Sequence, residues 1–327
     1  MNAMAQVSLS PRRLGHVNMF VANVEKSIAF YSDVAGIELV RREPGIRGGF
    51  HSNGNTHHDI GLIEVTQGAV IGRDGYKQPS SWRGKRPGLN HLGWEMESES
   101  TLVSALHRAE KRGIEVTAYA DHLITHSAYL RDPDDNWHEF YADIVEDWRD
   151  IFNLEREDLV SGDWNWDRKP PDEKTYYPKD QKTRRVTGAP FGTVRISHAR
   201  LVARDYPAVL GFFRDIGGME LVDSGDGVAF LRNKSSDLDL ILISDKYGLS
   251  PGLHSASFLI DDETDLTKAQ KVLKDRDVSP MMLATDRKQG LIMSDPDGVQ
   301  IEFYRRTSPG FQMLVPSASD PNWPFKE

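Results

Sequence analysis

Cysteine is absent from the 327 residues. That excludes disulfides, thiol nucleophiles and thiolate-bound metals. No apolar run approaches the roughly 18 residues of a membrane span. The N-terminal MNAMAQVSLSPRR has no apolar stretch of the secretory kind. Lys and Arg number 40 against 49 acidic residues, form no block, and leave a formal net charge of −9. Nucleic acid and membrane are therefore not expected as partners. These absences lead us to expect a cytoplasmic protein. The rest of the composition is ordinary for a globular chain, with 39% hydrophobic and 9% aromatic residues. The length suits about two domains.

What the chain does have is an internal repeat. His16 in LGHVNMFV matches His198 in ISHARLVA, and FYSDVAGIELV matches FFRDIGGMELV. DPDDNWHEFY matches DPDGVQIEFY, which aligns Glu139 with Glu302. His91 and His254 stand at equal distances before those two glutamates. Each half thus offers two imidazoles and a carboxylate: His16, His91 and Glu139, then His198, His254 and Glu302. A repeat that carries metal-ligand residue types says more about function than any single motif here.

The repeat divides the chain into four modules, starting near Leu14, Leu89, Ile196 and Leu253. In the first, HVNMFV alternates like a strand, with His16, Asn18 and Phe20 on one side. Asn23 can cap a helix built on Val24, Ile28, Tyr31 and Ala35, and Gly36 suits its end. The segments IELVRRE, GGFHSNG and HDIGLIEV then read as three strands. The second module repeats the plan, with Ser98 as cap, Leu102, Leu106 and Ala109 inward, and Gly113 as stop. Its strands are IEVTAYA, SAYLRD and WHEFYAD. We therefore expect an α+β fold of four βαβββ modules paired into two open-barrel domains.

The domains are placed at 1–147 and 194–327, with a polar, proline-containing linker at 148–193. Trp164, Trp166, Tyr176 and Tyr177 suggest that part of this linker packs against a domain. An insertion at 67–86, with Tyr76 and Trp82, is expected near the mouth of the first-half site. The Pro-rich tail from Ser308 is expected to wrap the surface. The Asp-Pro-Asp turns read as structural punctuation, and His51, His107 and His138 read as solvent-facing.

Two His and one carboxylate form the donor set of a non-haem Fe(II) site with open coordination positions. On these residues the chain resembles the vicinal oxygen chelate superfamily. Its first half resembles the type I extradiol catechol dioxygenases. The resemblance implies that His16, His91 and Glu139 hold Fe(II), with Mn(II) as the alternative metal, and that O2 is the co-substrate. It implies acid–base work for His58 in HHDIGLI. It also assigns hydrogen bonds to the substrate oxygen to His122 and Tyr129, with His126 competing for the role of His122. The expected reaction is ring opening of a catechol-type aromatic diol beside the diol, by a homo-oligomer.

The second half departs from this pattern. Ile292 stands where Tyr129 stands in the first, and LATDRKQG and SSDLDLILI lack the helper histidines. Its ligand types are expected to be structural or vestigial. Two other functions are carried forward. One is a glyoxalase-type lyase or isomerase with Glu64 as fourth ligand, and the other is a metal-free binding protein of the same fold.

Overall fold

The computed structural model describes residues 8–43, 46–65, 70–71, 77–78, 85–152, 162–177, 183–310 and 323–327. The first module runs β1 (Arg13–Val21), α1 (Val24–Ala29), β2 (Glu38–Glu43), β3 (Gly48–Ser52) and β4 (Ile60–Glu64). The side chain of Asn23 caps α1 by accepting from the Lys26 amide at 3.0 Å. The helix continues as a π-helical turn, Phe30–Val34, and ends at Gly36 with φ +79°. Only glycine takes that left-handed conformation without strain.

Two short strands follow, β5 (Val70–Ile71) and β6 (Lys77–Gln78), paired with each other. Tyr76 and Trp82 of the insertion lie outside the described residues. The second module contains β7 (Gly88–Glu95), α2 (Glu99–Glu110), β8 (Ala118–Asp121), β9 (Thr125–Arg131) and β10 (Trp137–Asp143). Ser98 and Thr101 form a reciprocal capping box on α2. β8 begins later than the run IEVTAYA suggested, because Ile114 to Thr117 is not strand.

The second half repeats this order: β11 (Thr193–Ala203), α3 (Tyr206–Gly211), β12 (Glu220–Gly225), β13 (Val228–Arg232), β14 (Leu240–Ser244), β15 (Gly252–Ile260), α4 (Leu266–Lys274), β16 (Met281–Ala284), β17 (Lys288–Ser294) and β18 (Gln300–Arg306). Each half folds into one curled eight-stranded sheet. The strand orders are β2-β3-β4-β1-β7-β10-β9-β8 and β12-β13-β14-β11-β15-β18-β17-β16. This is the expected α+β architecture of paired βαβββ modules in two domains.

Strand alternation sorts the side chains. Val17, Met19, Leu92, Trp94, Ala128, Leu130, Phe140 and Ala142 share a core with α2 and with residues of the second half such as Phe213 and Phe258. The opposite face, the inside of the curl, carries His16, Asn18, His91, Tyr129 and Glu139.

The two halves clasp each other reciprocally. Asp59 accepts from the Ile196 amide at 3.0 Å, and its counterpart Asp239 accepts from the Leu14 amide at 2.7 Å. The Asp-Pro-Asp turns do the same at the other end. Asp134 accepts from the amides of Arg204 and Asp205, and Asp297 accepts from that of Ala22. A hydrogen bond to a charged acceptor contributes about 1.5–3 kcal/mol, so these turns fasten one domain to the other.

Three expectations need correction here. His51 and His138 are buried, not solvent-facing. His51 reaches Ser32 at 3.2 Å, and His138 pairs with Asp132 at 3.2 Å, so each polar ring has a partner inside. The tail also departs from expectation. Pro309 and Gly310 are exposed as expected, but the other described stretch of the tail, Trp323 to Glu327, enters the second sheet's curl, with Trp323, Phe325 and Glu327 buried. Burial of the apolar rings favours that interior position, and Arg200 and Lys288 compensate the carboxylate there.

Candidate metal centre

β1 and β7 lie antiparallel at the middle of the first sheet, and β10 runs parallel to β7. This register sets His16 opposite Gly93, Asn18 opposite His91, and Glu139 opposite the same Gly93. Three residues distant in sequence therefore meet. His16 Nε2 is 2.9 Å from Glu139 Oε2, His91 Nε2 is 3.0 Å from the same oxygen, and the two ring nitrogens are 3.3 Å apart. Gly93 makes the convergence feasible, since a Cβ there would lie 2.0 Å from His16 Nε2.

Burial opposes the ionisation of Glu139. The hydrogen bonds from His16 and His91 more than offset it, and the carboxyl is held well below its ordinary range. Burial pushes His16 down to about 4 against the pull of Glu139, so its ring is neutral at pH 7. Two imidazole nitrogens and an ionised carboxylate oxygen, converging within 4.8 Å, match the donors of a divalent transition-metal site. His91 also has the supporting contact such ligands need, from Nδ1 to Asn90 Oδ1 at 3.0 Å.

The remaining candidates flank the triad on two sides. On one, Tyr129 donates to Glu139 Oε1 at 2.9 Å, and His122 Nε2 lies 3.0 Å from the Tyr129 hydroxyl. The competitor His126 is placed elsewhere, bonded to Glu99 at 2.6 Å and stacked on Trp164 at 4.6 Å. On the other side, the His58 ring stacks on that of His16 at 4.1 Å, and its Nε2 is 3.0 Å from Asn18 Oδ1. Burial, with the neighbouring His16 and His57, lowers the His58 pKa well below its ordinary value. Glu64 is not part of this centre. Its carboxylate accepts from the Val24 amide at 3.1 Å and pairs with Arg47 at 2.8 Å.

Sequence reasoning missed several neighbours. His57 lies in a cluster with His16 and His58, with Nδ1 3.7 Å from Asp143. Tyr141 stacks on His16 at 5.0 Å. Phe50 and Phe152 stand beside His58, at 5.1 and 6.2 Å between ring centroids. Asn18, Gly93 and Tyr141 each follow a candidate ligand by two residues, so strand alternation alone was a signal for them. Nothing comparable marked Phe152, which returns from beyond the last strand of the sheet.

The second half is built differently at the same place, and one equivalence must be corrected. The counterpart of Asn18 is Arg200, and Arg200 pairs across with Ser255. Ser255, not His254, therefore occupies the position of His91. His254 is the extra residue of a β-bulge and corresponds to Asn90. The first half has the same bulge at Asn90, between the pairs Asn18–His91 and Met19–Leu89, so the mismatch lies beyond it, in a segment that is one residue shorter in the second half.

The second cluster is His198, Glu302 and Glu327, and it is already supplied with cations. Arg200 Nη2 lies 3.1 Å from Glu302 and 2.7 Å from Glu327. Lys288 pairs with Glu302 at 2.7 Å and also with Glu327. Ile292 lies opposite Glu302, as Tyr129 lies opposite Glu139. Leu238, beside Asp239, takes the place that His58 holds beside Asp59. The second half thus carries a buried ion-pair network where the first carries a donor triad.

The profile of the Glyoxalase/Bleomycin resistance protein/Dioxygenase superfamily matches residues 13–140 and 195–303, and the chain belongs to this superfamily. The chain is 24% identical over 218 residues to catechol-2,3-dioxygenase of Bacillus subtilis (strain 168), which is 67% of this chain and 69% of that protein. Among solved structures it resembles the Mn(II)-bound glyoxalase from Novosphingobium aromaticivorans, with TM-score 0.62, 17% identity, and 96% and 89% of the two chains covered. It also resembles homoprotocatechuate 2,3-dioxygenase from Arthrobacter globiformis, with TM-score 0.61, 16% identity, and 92% and 83% covered. At such identities the structural likenesses speak for the fold alone. Among the described residues, no helix is long and apolar enough to cross a membrane.

Proposed function

We propose that the chain is an extradiol dioxygenase that opens a catechol-type aromatic ring with Fe(II) and O2. One observation carries the reading. The convergent triad of His16, His91 and Glu139 is flanked by a Tyr129–His122 pair on one side and by neutral His58 on the other. The catechol-2,3-dioxygenase relative supports the same reading.

His16, His91 and Glu139 would hold the metal. When bound, Fe(II) supplies open coordination positions at which the two diol oxygens and O2 are held together, and a path for electron density between them.

The chain's own groups supply the proton handling. His58 is buried and neutral, so it can accept a proton from the reacting oxygens and return it later. The amide side chain of Asn18 fixes the orientation of its ring at 3.0 Å. The Tyr129 hydroxyl, with His122 behind it, can turn from Glu139 to a substrate oxygen and steady the charge that develops there. Phe50 and Phe152 stand beside His58 and help to keep water from it. Both oxygen atoms of O2 enter the product, a ring-opened semialdehyde-type acid. The substrate is a small aromatic molecule rather than a macromolecule.

A four-ligand glyoxalase-type arrangement is disfavoured because Glu64 is committed to Arg47 and the start of α1. A metal-free binding role is disfavoured by the convergence of the three donors. The His91→Ala protein tests the assignment. It should lose metal and ring-opening activity together, while full metal content and turnover in that variant would refute it.

A further inference from the structure

Each sheet is followed by a segment that turns back into its own curl. In the first domain this segment contains Trp148–Asp150 and brings Phe152 beside His58. In the second it contains Trp323–Phe325 and continues to Glu327. Trp323 packs among Val202, Val228, Phe230, Leu238, Ile241 and Ile243. The Phe325 ring lies 4.5 Å from the Arg200 guanidinium and packs with Leu283 and Ile292. The Glu327 carboxylate accepts from Arg200 at 2.7 Å and from Lys288, and lies 3.3 Å from His198 Nε2.

Charge explains why a carboxylate is needed there. Arg200, Lys288, Glu302 and Glu327 are all buried to within 1%. Without Glu327 the two cations would share a single carboxylate, and an uncompensated buried charge is strongly destabilising. A guanidinium that meets a ring and a carboxylate, an ammonium and imidazole at the same carboxylate, and an aliphatic wall together form a recognition set. An aromatic ring bearing a carboxylate on a short chain would match that set.

We propose that the curl of the second domain is a binding pocket for an arylalkanoic acid, and that Phe325 and Glu327 occupy it as a ligand in cis. The proposal is independent of the metal reading for the first domain. A free acid competes with the side chains of Phe325 and Glu327 for the same partners, so removing those side chains exposes the pocket. No covalent step is involved.

The test uses the full chain carrying Phe325→Ala and Glu327→Gln, with Trp323 kept as anchor. Titration with 3-phenylpropionate should raise the Tm of this variant saturably. Equal concentrations of acetate and benzyl alcohol together should not reproduce the rise, and adding Arg200→Met should abolish it. If the variant does not fold alone, its refolding yield in 3-phenylpropionate is read instead, against the same controls. Lack of a saturable effect, or an effect that survives Arg200→Met, would overturn the proposal and leave the tail a structural plug.

Discussion

Gly93 lies directly across the β1–β7 ladder from His16, and a Cβ on it would sit 2.0 Å from the His16 Nε2. The absence of a side chain at residue 93 is therefore what lets three donors meet. The Gly93→Ala protein should fold, since residue 93 is not among those with positive φ. Its metal affinity should fall by at least about 10–100-fold, the range for disturbed ligand orientation. Titration of the metal-free variant with Fe(II) under anaerobic conditions checks this. Unchanged affinity would mean that the triad is not the metal site.

The two flanks of the triad should respond in a characteristic way. His58→Gln and Tyr129→Phe both remove a proton-handling group while leaving the three proposed ligands in place. Each variant should keep its metal and bind catechol, with turnover lowered by roughly 10²–10⁴-fold, as for general acid–base groups. Metal content and O2 uptake, measured on the same preparation, decide the point. Loss of metal in His58→Gln would make that residue a ligand and revive a four-ligand centre.

The convergence of His16, His91 and Glu139 was legible because a strand places alternate residues on one face and the repeat marked His16 and Glu139. The same repeat misled at His254. Equal spacing to the two glutamates set His254 against His91, but PGLNH aligns with PGLHS and the segment that follows is one residue shorter in the second half, so Ser255 holds the place of His91. Arg200 was visible two residues after His198 in ISHARLVA, on the same strand face, and its charge at that position was the signal that the second site is filled. Lys288 and Glu327 could not be read, because their meeting depends on a tail that folds back across the domain. The Asp-Pro-Asp turns were legible as turns but not as clasps, since their partners lie in the other half of the chain.

His51 offers a pH test outside the metal centre. Burial pushes its pKa down to about 3, from an ordinary 6.5. The unfolded chain therefore binds the proton that the folded ring refuses. The contribution is fully present above the unfolded value and is lost as pH falls toward the folded one. One such group gives a slope of about 1.4 kcal/mol per pH unit in that window. Urea unfolding of the metal-free protein between about pH 6 and pH 4 should show a slope shallower by about one proton in His51→Gln. An unchanged slope would mean that the buried ring accepts its proton without cost.

The most direct measurement is O2 consumption after anaerobic reconstitution with Fe(II), across a panel of catechols. The account predicts one metal per chain, held in the first domain. It also predicts one O2 consumed per catechol with a ring-opened semialdehyde as product, and neither metal nor uptake in His91→Ala. A fully metal-loaded protein that consumes no O2 with any vicinal diol, or a His91→Ala protein that consumes it at the full rate, would contradict the account.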